Sequence, residues 1–298
     1  MAERPERCRL RASERGDPML GTAFPAARIL LVEQPGGWGP AGLAASQFDG
    51  PTAARLIEGL GRQGIRVLAV RRPGRQPESR RRSWGLADCR LGRQQLVWGS
   101  FGADAELLDL QPDFDVLPAG AVRDDRPVYA VCAHGTHDMC CAIEGRPVAA
   151  ALQRLVPGRA WECSHVGGDR FAANVLVLPT GQQYGRVSEA AELVAATEAG
   201  RTVPDLLRGQ VGLAPPAQAA VVQAQRELDV SADQLRVLSV GNGEDGSQLV
   251  RLSSPLGELT VAVLRQAGAA ELLTCRAAGP RTPLSYRPLW LRREGTAG

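Results

Sequence analysis

Side chains able to hold a soft metal are crowded into one short stretch of this chain. All three histidines (His134, His137, His165) and four of the seven cysteines (Cys132, Cys140, Cys141, Cys163) fall between residues 132 and 165. Thiolates and imidazoles are the usual protein ligands of zinc and iron. The N-terminus, MAERPERCRLRASERGD, has no apolar run behind its charges, so it does not read as a secretory signal. The cysteines are therefore expected as thiols or metal ligands rather than disulfides. The informative segments are VCAHGTHDMCCAIEGRP (131–147) and WECSHVGGDRFAANVLVLPTGQQYG (161–185). Cys132 ends a strand and Cys141 lies nine residues on, just before a helix, so the loop between them can point two thiolates at one place. His165 and Asp169 are four residues apart around Gly167 and Gly168. Glycine reaches backbone conformations closed to other residues, so a tight loop there can aim both side chains inward.

These loops need elements to carry them. Residues 26–34 read as a buried strand, and Ala53, Leu56, Ile57 and Leu60 form one face of a helix over 51–63 that Gly64 can end. Residues 65–72 are a second strand, 82–89 and 93–101 a hairpin, and 103–110 a short closing helix. The order then repeats. Residues 126–132 form a strand, and a helix starts at Pro147 with Val148, Ala151, Leu152 and Leu155 on its apolar face. Residues 160–164 are extended, 173–179 and 183–187 form a hairpin, and a last helix starts at an N-cap Ser188. Strand–helix–strand–hairpin–helix twice over is the thioredoxin-like plan, which places both loops at one end of a sheet. Residues 201–216 look like a linker, followed by a helix (217–228) and strands at 234–240, 247–253, 257–264 and 270–275. The expected fold class is α/β, two thioredoxin-like βαβ-ββα units followed by a small α+β C-terminal unit. The expected domains are 1–124, a degenerate unit without ligands; 125–201, the unit carrying the site; and 202–298, linker and C-terminal unit, chemically quiet with no His and one Cys.

CAHGTHDMCC (132–141) and SHVGGDRFAANVLVLPTGQQYG (164–185), with GDPMLGTAF (16–24) and LLVEQPGGWG (30–39), resemble the sucrase/ferredoxin-like family, a branch of the thioredoxin-like [2Fe–2S] ferredoxins. The resemblance covers roughly residues 8–190. It implies a [2Fe–2S] cluster with Cys132 and Cys141 from the first loop and His165 from the second. The fourth position is Asp169, where much of the family has His in an H-x-x-x-H loop. Carboxylate is a harder, less usual ligand for a cluster iron, and Cys140 and Cys163 are the alternatives. The implied role is one-electron transfer with an unidentified redox donor or acceptor protein, more an electron carrier than a self-sufficient enzyme. No carboxylate pair of the kind glycoside hydrolysis needs stands out.

Two other readings stay open. Two cysteines, one histidine and one aspartate are an acceptable zinc set for a structural or interaction protein. A thiol oxidoreductase is weakened because no C-x-x-C occurs in the chain. Cys140 reads as a bystander, and Cys8, Cys89 and Cys275 as isolated thiols. His134 and His137 either hydrogen-bond cluster sulfurs or line the pocket, or else shape the loop. Asp138 can cap the turn that follows it, and Arg170 reads as a surface residue. The arginine-rich run 71–82 reads as a solvated loop, or alternatively as a docking patch for an acidic electron donor. There is no lysine, so all 35 basic residues are arginine, yet the net charge is only +3 and aromatics make up 4%. That is too modest a charge and too few stacking rings to argue for nucleic acid. No stretch is long and apolar enough for a membrane span, and the expected address is the cytoplasm.

Overall fold

Apolar residues alternate between two buried faces along the central strands, so one sheet carries cores on both sides. The computed structural model describes residues 7–74 and 81–294. Its first half comprises α1 (Cys8–Glu14), β1 (Arg28–Glu33), α2 (Gly50–Arg62), β2 (Ile65–Arg71), β3 (Arg82–Asp88), β4 (Gln95–Phe101) and β5 (Val122–Arg123). The second half comprises β6 (Val128–Cys132), α3 (Met139–Leu155), β7 (Ala160–Cys163), β8 (Val175–Leu178), β9 (Gln182–Tyr184), α4 (Ala190–Glu198) and β10 (Leu207–Gln210). Then follow α5 (Pro215–Leu228), β11 (Arg236–Asn242), β12 (Gln248–Ser254), β13 (Gly257–Ala267) and β14 (Leu284–Arg293).

The protein is mixed α/β. Ten strands form one curled sheet in the order β10-β9-β8-β6-β7-β2-β1-β3-β4-β5. In the first half β1 pairs parallel with β2 and antiparallel with β3; in the second, β6 pairs parallel with β7 and antiparallel with β8. The halves meet where β2 and β7 run antiparallel, with Val70 opposite Cys163 and Arg71 opposite Glu162. Only the tips of these strands overlap. The loops leaving the carboxyl ends of the parallel strands are therefore brought together from both halves, the usual place for a binding site in such sheets. Ile29, Leu31, Val128, Ala130 and Cys132 point into the curl, where Trp98 stacks on Trp161 with ring centroids 5.3 Å apart. On the opposite face Leu30 and Val32 meet Leu56 and Leu60 of α2, and Tyr129 and Val131 meet Val148 and Leu152 of α3.

Several local expectations change. The helix expected to start at Pro147 starts at Met139, and Pro147 stands inside it. The reason is Asp138, whose carboxylate accepts the Cys140 N–H at 2.9 Å and caps the helix two turns earlier. Ser188 is not the cap of α4; Glu189 takes that position without a side-chain hydrogen bond. The presumed linker contributes β10 to the sheet edge. The strand expected at 270–275 does not form. Its Leu272 and Leu273 break the alternation, and the Cys275 N–H donates instead to Asp138 Oδ2 at 2.6 Å. β14 is the fourth strand of the antiparallel sheet β11-β12-β13-β14, whose core includes Val250, Leu259, Val261 and residues of α5. Of the run 71–82, residues 75–80 lie outside the described residues; at its ends Arg71 bonds Glu162 at 2.8 Å and Arg82 bonds Gln34 at 3.0 Å.

One contact ties α3 to β6 at backbone distance. A Cβ added at Gly145 would lie 2.1 Å from the carbonyl oxygen of Cys132. Gly145→Ala gains helix propensity of about 1 kcal/mol. The clash is with main chain that no rotamer change can move, and overpacking of that kind costs about 1–3 kcal/mol. The net expectation is a lowered midpoint of thermal unfolding; a midpoint equal to or above that of the parent chain would show that α3 is free to shift.

Candidate metal centre

Cys132 is the last residue of β6, and its N–H is held by Asn174 O at 2.9 Å. The chain then folds back through a tight turn in which the Asp138 N–H donates to His134 O at 3.0 Å. Asp138 starts α3, which puts Cys141 in the first turn, where the positive end of the helix dipole favours a thiolate. The second loop leaves β7 after Cys163. Gly167 and Gly168 take φ of +77° and +75°, and Asp169 begins a short 3₁₀ turn. Two left-handed residues in succession reverse the chain, so His165 and Asp169 face the same space. The expected inward aim of both side chains is what this loop delivers.

The sulfur atoms of Cys132 and Cys141 and a ring nitrogen of His165 lie within 4.8 Å of one another. The Cys141 thiol donates to Asp169 Oδ1 at 3.1 Å, and His165 Nδ1 lies 2.9 Å from the same oxygen. The approach of Nδ1 is out of line, leaving this buried nitrogen without a hydrogen-bond partner. A buried imidazole nitrogen with no aligned hydrogen bond, beside two thiols and a carboxylate, fits a metal ligand set. His137, not singled out as a ligand beforehand, joins the group. Its Nε2 lies 3.7 Å from Asp169 Oδ2, and its ring stacks on His165 with centroids 3.8 Å apart. The alternatives for a fourth ligand are not brought in. Cys140 Sγ points away, 3.4 Å from Cys275 Sγ, and Cys163 packs in the core beside the group without joining it.

Charge is already arranged for binding. A hydrogen bond from Cys141, helped by His165, holds the Cys132 thiol down to about 5 against the upward push of burial. Cys141 is pushed far up by the neighbouring Cys132, by burial and by Asp169. Burial pulls His165 down, but Asp169 and Cys132 outweigh it and raise the imidazole to about 9. Asp169 is lowered in turn, because His165 outweighs its burial. Metal binding would displace the remaining protons.

Three further residues support the site; His134 lies in the cysteine–histidine cluster, whereas Arg208 and Asn174 carried no signal in the local sequence. His134 bridges the halves: its Nε2 donates to Gly39 O at 2.8 Å and its Nδ1 accepts the His165 N–H at 3.2 Å, which defines the tautomer. The fully buried Arg208 donates to Gly167 O at 2.9 Å and Asn174 Oδ1 at 2.7 Å, and also bonds Thr22 O. Asn174 in turn donates to Gly168 O at 2.9 Å. Both glycine carbonyls of the second loop are thus held from beneath. A Cβ at Gly168 would lie 2.5 Å from the Arg208 guanidinium, so the loop needs glycine there for packing as well as for its positive φ. The thiols and Asp169 are buried, whereas the side chains of His165 and His137 remain 24% and 35% exposed. These rings open onto a cleft of about 790 Å³ walled by Arg170, Leu273, Thr274 and residues 276–281.

Fold and site together define a mixed α/β protein with a pocket whose cysteine, histidine and aspartate side chains could hold a metal ion. Residues 66–209 match the family model described as sucrase/ferredoxin-like, which supports the resemblance noted in the sequence. The match takes in both site loops and reaches back into β2 of the first half. Searches of curated proteins and of solved structures returned no match. No helix among the described residues is long and apolar enough to cross a membrane.

Proposed function

We propose that this protein holds a [2Fe–2S] cluster in the pocket between the Cys132–Cys141 and His165–Asp169 loops and works in one-electron transfer. The observation carrying this reading is the convergence, within 4.8 Å, of two thiols and a ring nitrogen of His165 from separate loops. Cys132 and Cys141 would hold one iron, His165 and Asp169 the other. A bound cluster supplies a one-electron couple; a neutral imidazole in place of a thiolate would raise its potential, and the charge of Asp169 would partly cancel that rise. The chain's own part is to keep water from the sulfurs with the buried faces of β6 and α3 and to fix the His165 loop through His134 and Arg208. The imidazole edge is left as the side that a redox partner would meet, with Arg170, Arg276 and Arg281 around the cleft there. We further read the two halves as thioredoxin-like units, 1–124 without ligands and 125–201 with them, followed by the 202–298 unit. The shared order β2-β1-β3-β4 and β7-β6-β8-β9, each with its third strand antiparallel to the first, supports this.

Purification without oxygen tests the cluster. The expected chain is red-brown, with sulfur-to-iron absorption and two irons per chain by the definition of the cluster. A colourless chain whose zinc is lost in Cys132→Ser would replace the reading with a zinc site, and a metal-free chain active in thiol–disulfide exchange with a thiol oxidoreductase. Asp169→Ala tests the fourth ligand. Metal affinity is expected to fall by at least roughly 10–100-fold, the effect of losing even an outer-shell partner. Unchanged iron content and spectrum would remove Asp169 from the set and make His137, whose Nε2 lies 3.7 Å from it, the residue to replace next.

A further inference from the structure

Two of the three cysteines expected to be isolated, Cys8 and Cys275, are not. Cys8 from α1, Cys140 from the first turn of α3 and Cys275 from the loop before β14 meet at one point with Asp138. Cys140 Sγ and Cys275 Sγ are 3.4 Å apart, and Cys275 Sγ and Cys8 Sγ 3.5 Å. Cys8 Sγ lies 3.7 Å from Asp138 Oδ2. All four ligand atoms fall within 4.8 Å of one another, and Cys8, Asp138 and Cys140 are fully buried. With Zn–S bonds of about 2.3 Å, the edges of a tetrahedron are about 3.8 Å between sulfurs, and slightly less from sulfur to oxygen. The sulfurs are too far apart for a disulfide, whose S–S bond is about 2.0 Å, and close to the spacing that a shared ion would impose.

We propose that Cys8, Cys140, Cys275 and Asp138 form a tetrahedral zinc site that clips the N-terminal helix and the 268–283 loop onto the start of α3. The ligand set is soft, closed and suited to zinc, with three sulfurs and one oxygen and no side left for substrate. The surroundings are those of a metal site. The Cys8 N–H donates to Cys275 Sγ at 3.4 Å. Asp138 is oriented by the N–H groups of Cys140 at 2.9 Å and Cys275 at 2.6 Å, the kind of outer-shell support that ligating carboxylates receive. The three chain segments are remote in sequence, and the clip closes them across nearly the whole chain. Its consequence reaches the first pocket, because Leu273, Thr274 and residues 276–281, on either side of Cys275, wall the cleft over His137 and His165. Cys140 and Cys141, adjacent on one helical turn, thus serve two different sites.

The test is elemental analysis of the full chain together with two groups of variants. The parent chain is expected to carry one zinc in addition to whatever metal the first pocket holds. Cys275→Ser, at a half-buried loop position that should tolerate serine, is expected to lose that zinc while keeping its iron. Cys132→Ser combined with Cys141→Ser is expected to lose iron and keep zinc. Trypsin supplies a second readout on the unmodified chain. Stripping zinc with a chelator should speed cleavage after Arg276 and Arg281, and restoring zinc should slow it again. Zinc absent from the parent chain, zinc retained at full level in both Cys8→Ser and Cys275→Ser, or cleavage indifferent to zinc would each overturn the proposal. So would two of the three thiols recovered as a disulfide.

Discussion

The Cys132→Ser chain is expected to purify colourless, with its iron reduced from two per chain to none. Serine cannot supply the thiolate that Cys141 and His165 already stabilise at this position. Its hydroxyl is also shorter, and it sits at the end of a strand buried on both faces, where it cannot shift to compensate. The informative control is Cys163→Ala. Cys163 stands opposite Cys132 in the β6–β7 pairing and is equally buried, but it lies outside the ligand group. That variant should keep full iron and lose about 1 kcal/mol of stability, as an ordinary core truncation does. Iron at the parent level in Cys132→Ser, or its loss in Cys163→Ala, would mean that the metal is held elsewhere in the cysteine-rich region.

Arg208→Met is expected to cost more stability than any other single change named here. Arg208 is a fully buried charge, and burial pulls its guanidinium down to about 9, so it stays protonated at neutral pH. It sits beneath the Gly167–Gly168 turn and bonds Gly167 O, Asn174 Oδ1, Thr22 Oγ1 and Thr22 O. Methionine fills much of the volume but leaves Asn174 Oδ1 buried and unpaired and strips the half-buried carbonyls of Gly167 and Thr22 of their donor, at up to about 1–3 kcal/mol for each group left unsatisfied. With some relaxation the expected loss is about 3–5 kcal/mol, the range for removing one partner from a buried charged network. Against a total stability of about 5–15 kcal/mol, that should appear as a large fall in the thermal midpoint and as iron loss, since the His165 loop then has no floor. Arg208→Lys should not rescue it, because a single ammonium cannot span the same acceptors. A thermal midpoint within about 2 °C of the parent would show that the network is dispensable.

Both variants separate what local sequence could say from what it could not. Strands β1 to β4 and β6 to β9, helix α2 and the β8–β9 hairpin follow from alternation, helical spacing and turn residues, all properties of neighbours along the chain. The His165–Asp169 loop belongs with them, because two glycines and a spacing of four are enough to turn both side chains one way. Pro147 misled because its preference for a helix start is weak beside an aspartate cap upstream. The strand expected at 270–275 failed because its backbone answers to Asp138, far away in the chain.

Sequence alone determined which side chains share a loop and which way that loop turns, because backbone sterics and capping act over a few residues. Only the tertiary structure decided which loops share a space. It set Arg208, from a stretch that reads as a linker, under the metal pocket. It brought His137 against Asp169, and it joined Cys8 and Cys275 from the two ends of the chain to Cys140. Those meetings come from the overlap of β2 with β7 and from the docking of the C-terminal sheet through α5. Apolar burial drives both, and it is roughly proportional to area and without direction, so no spacing along the chain records where remote segments will meet.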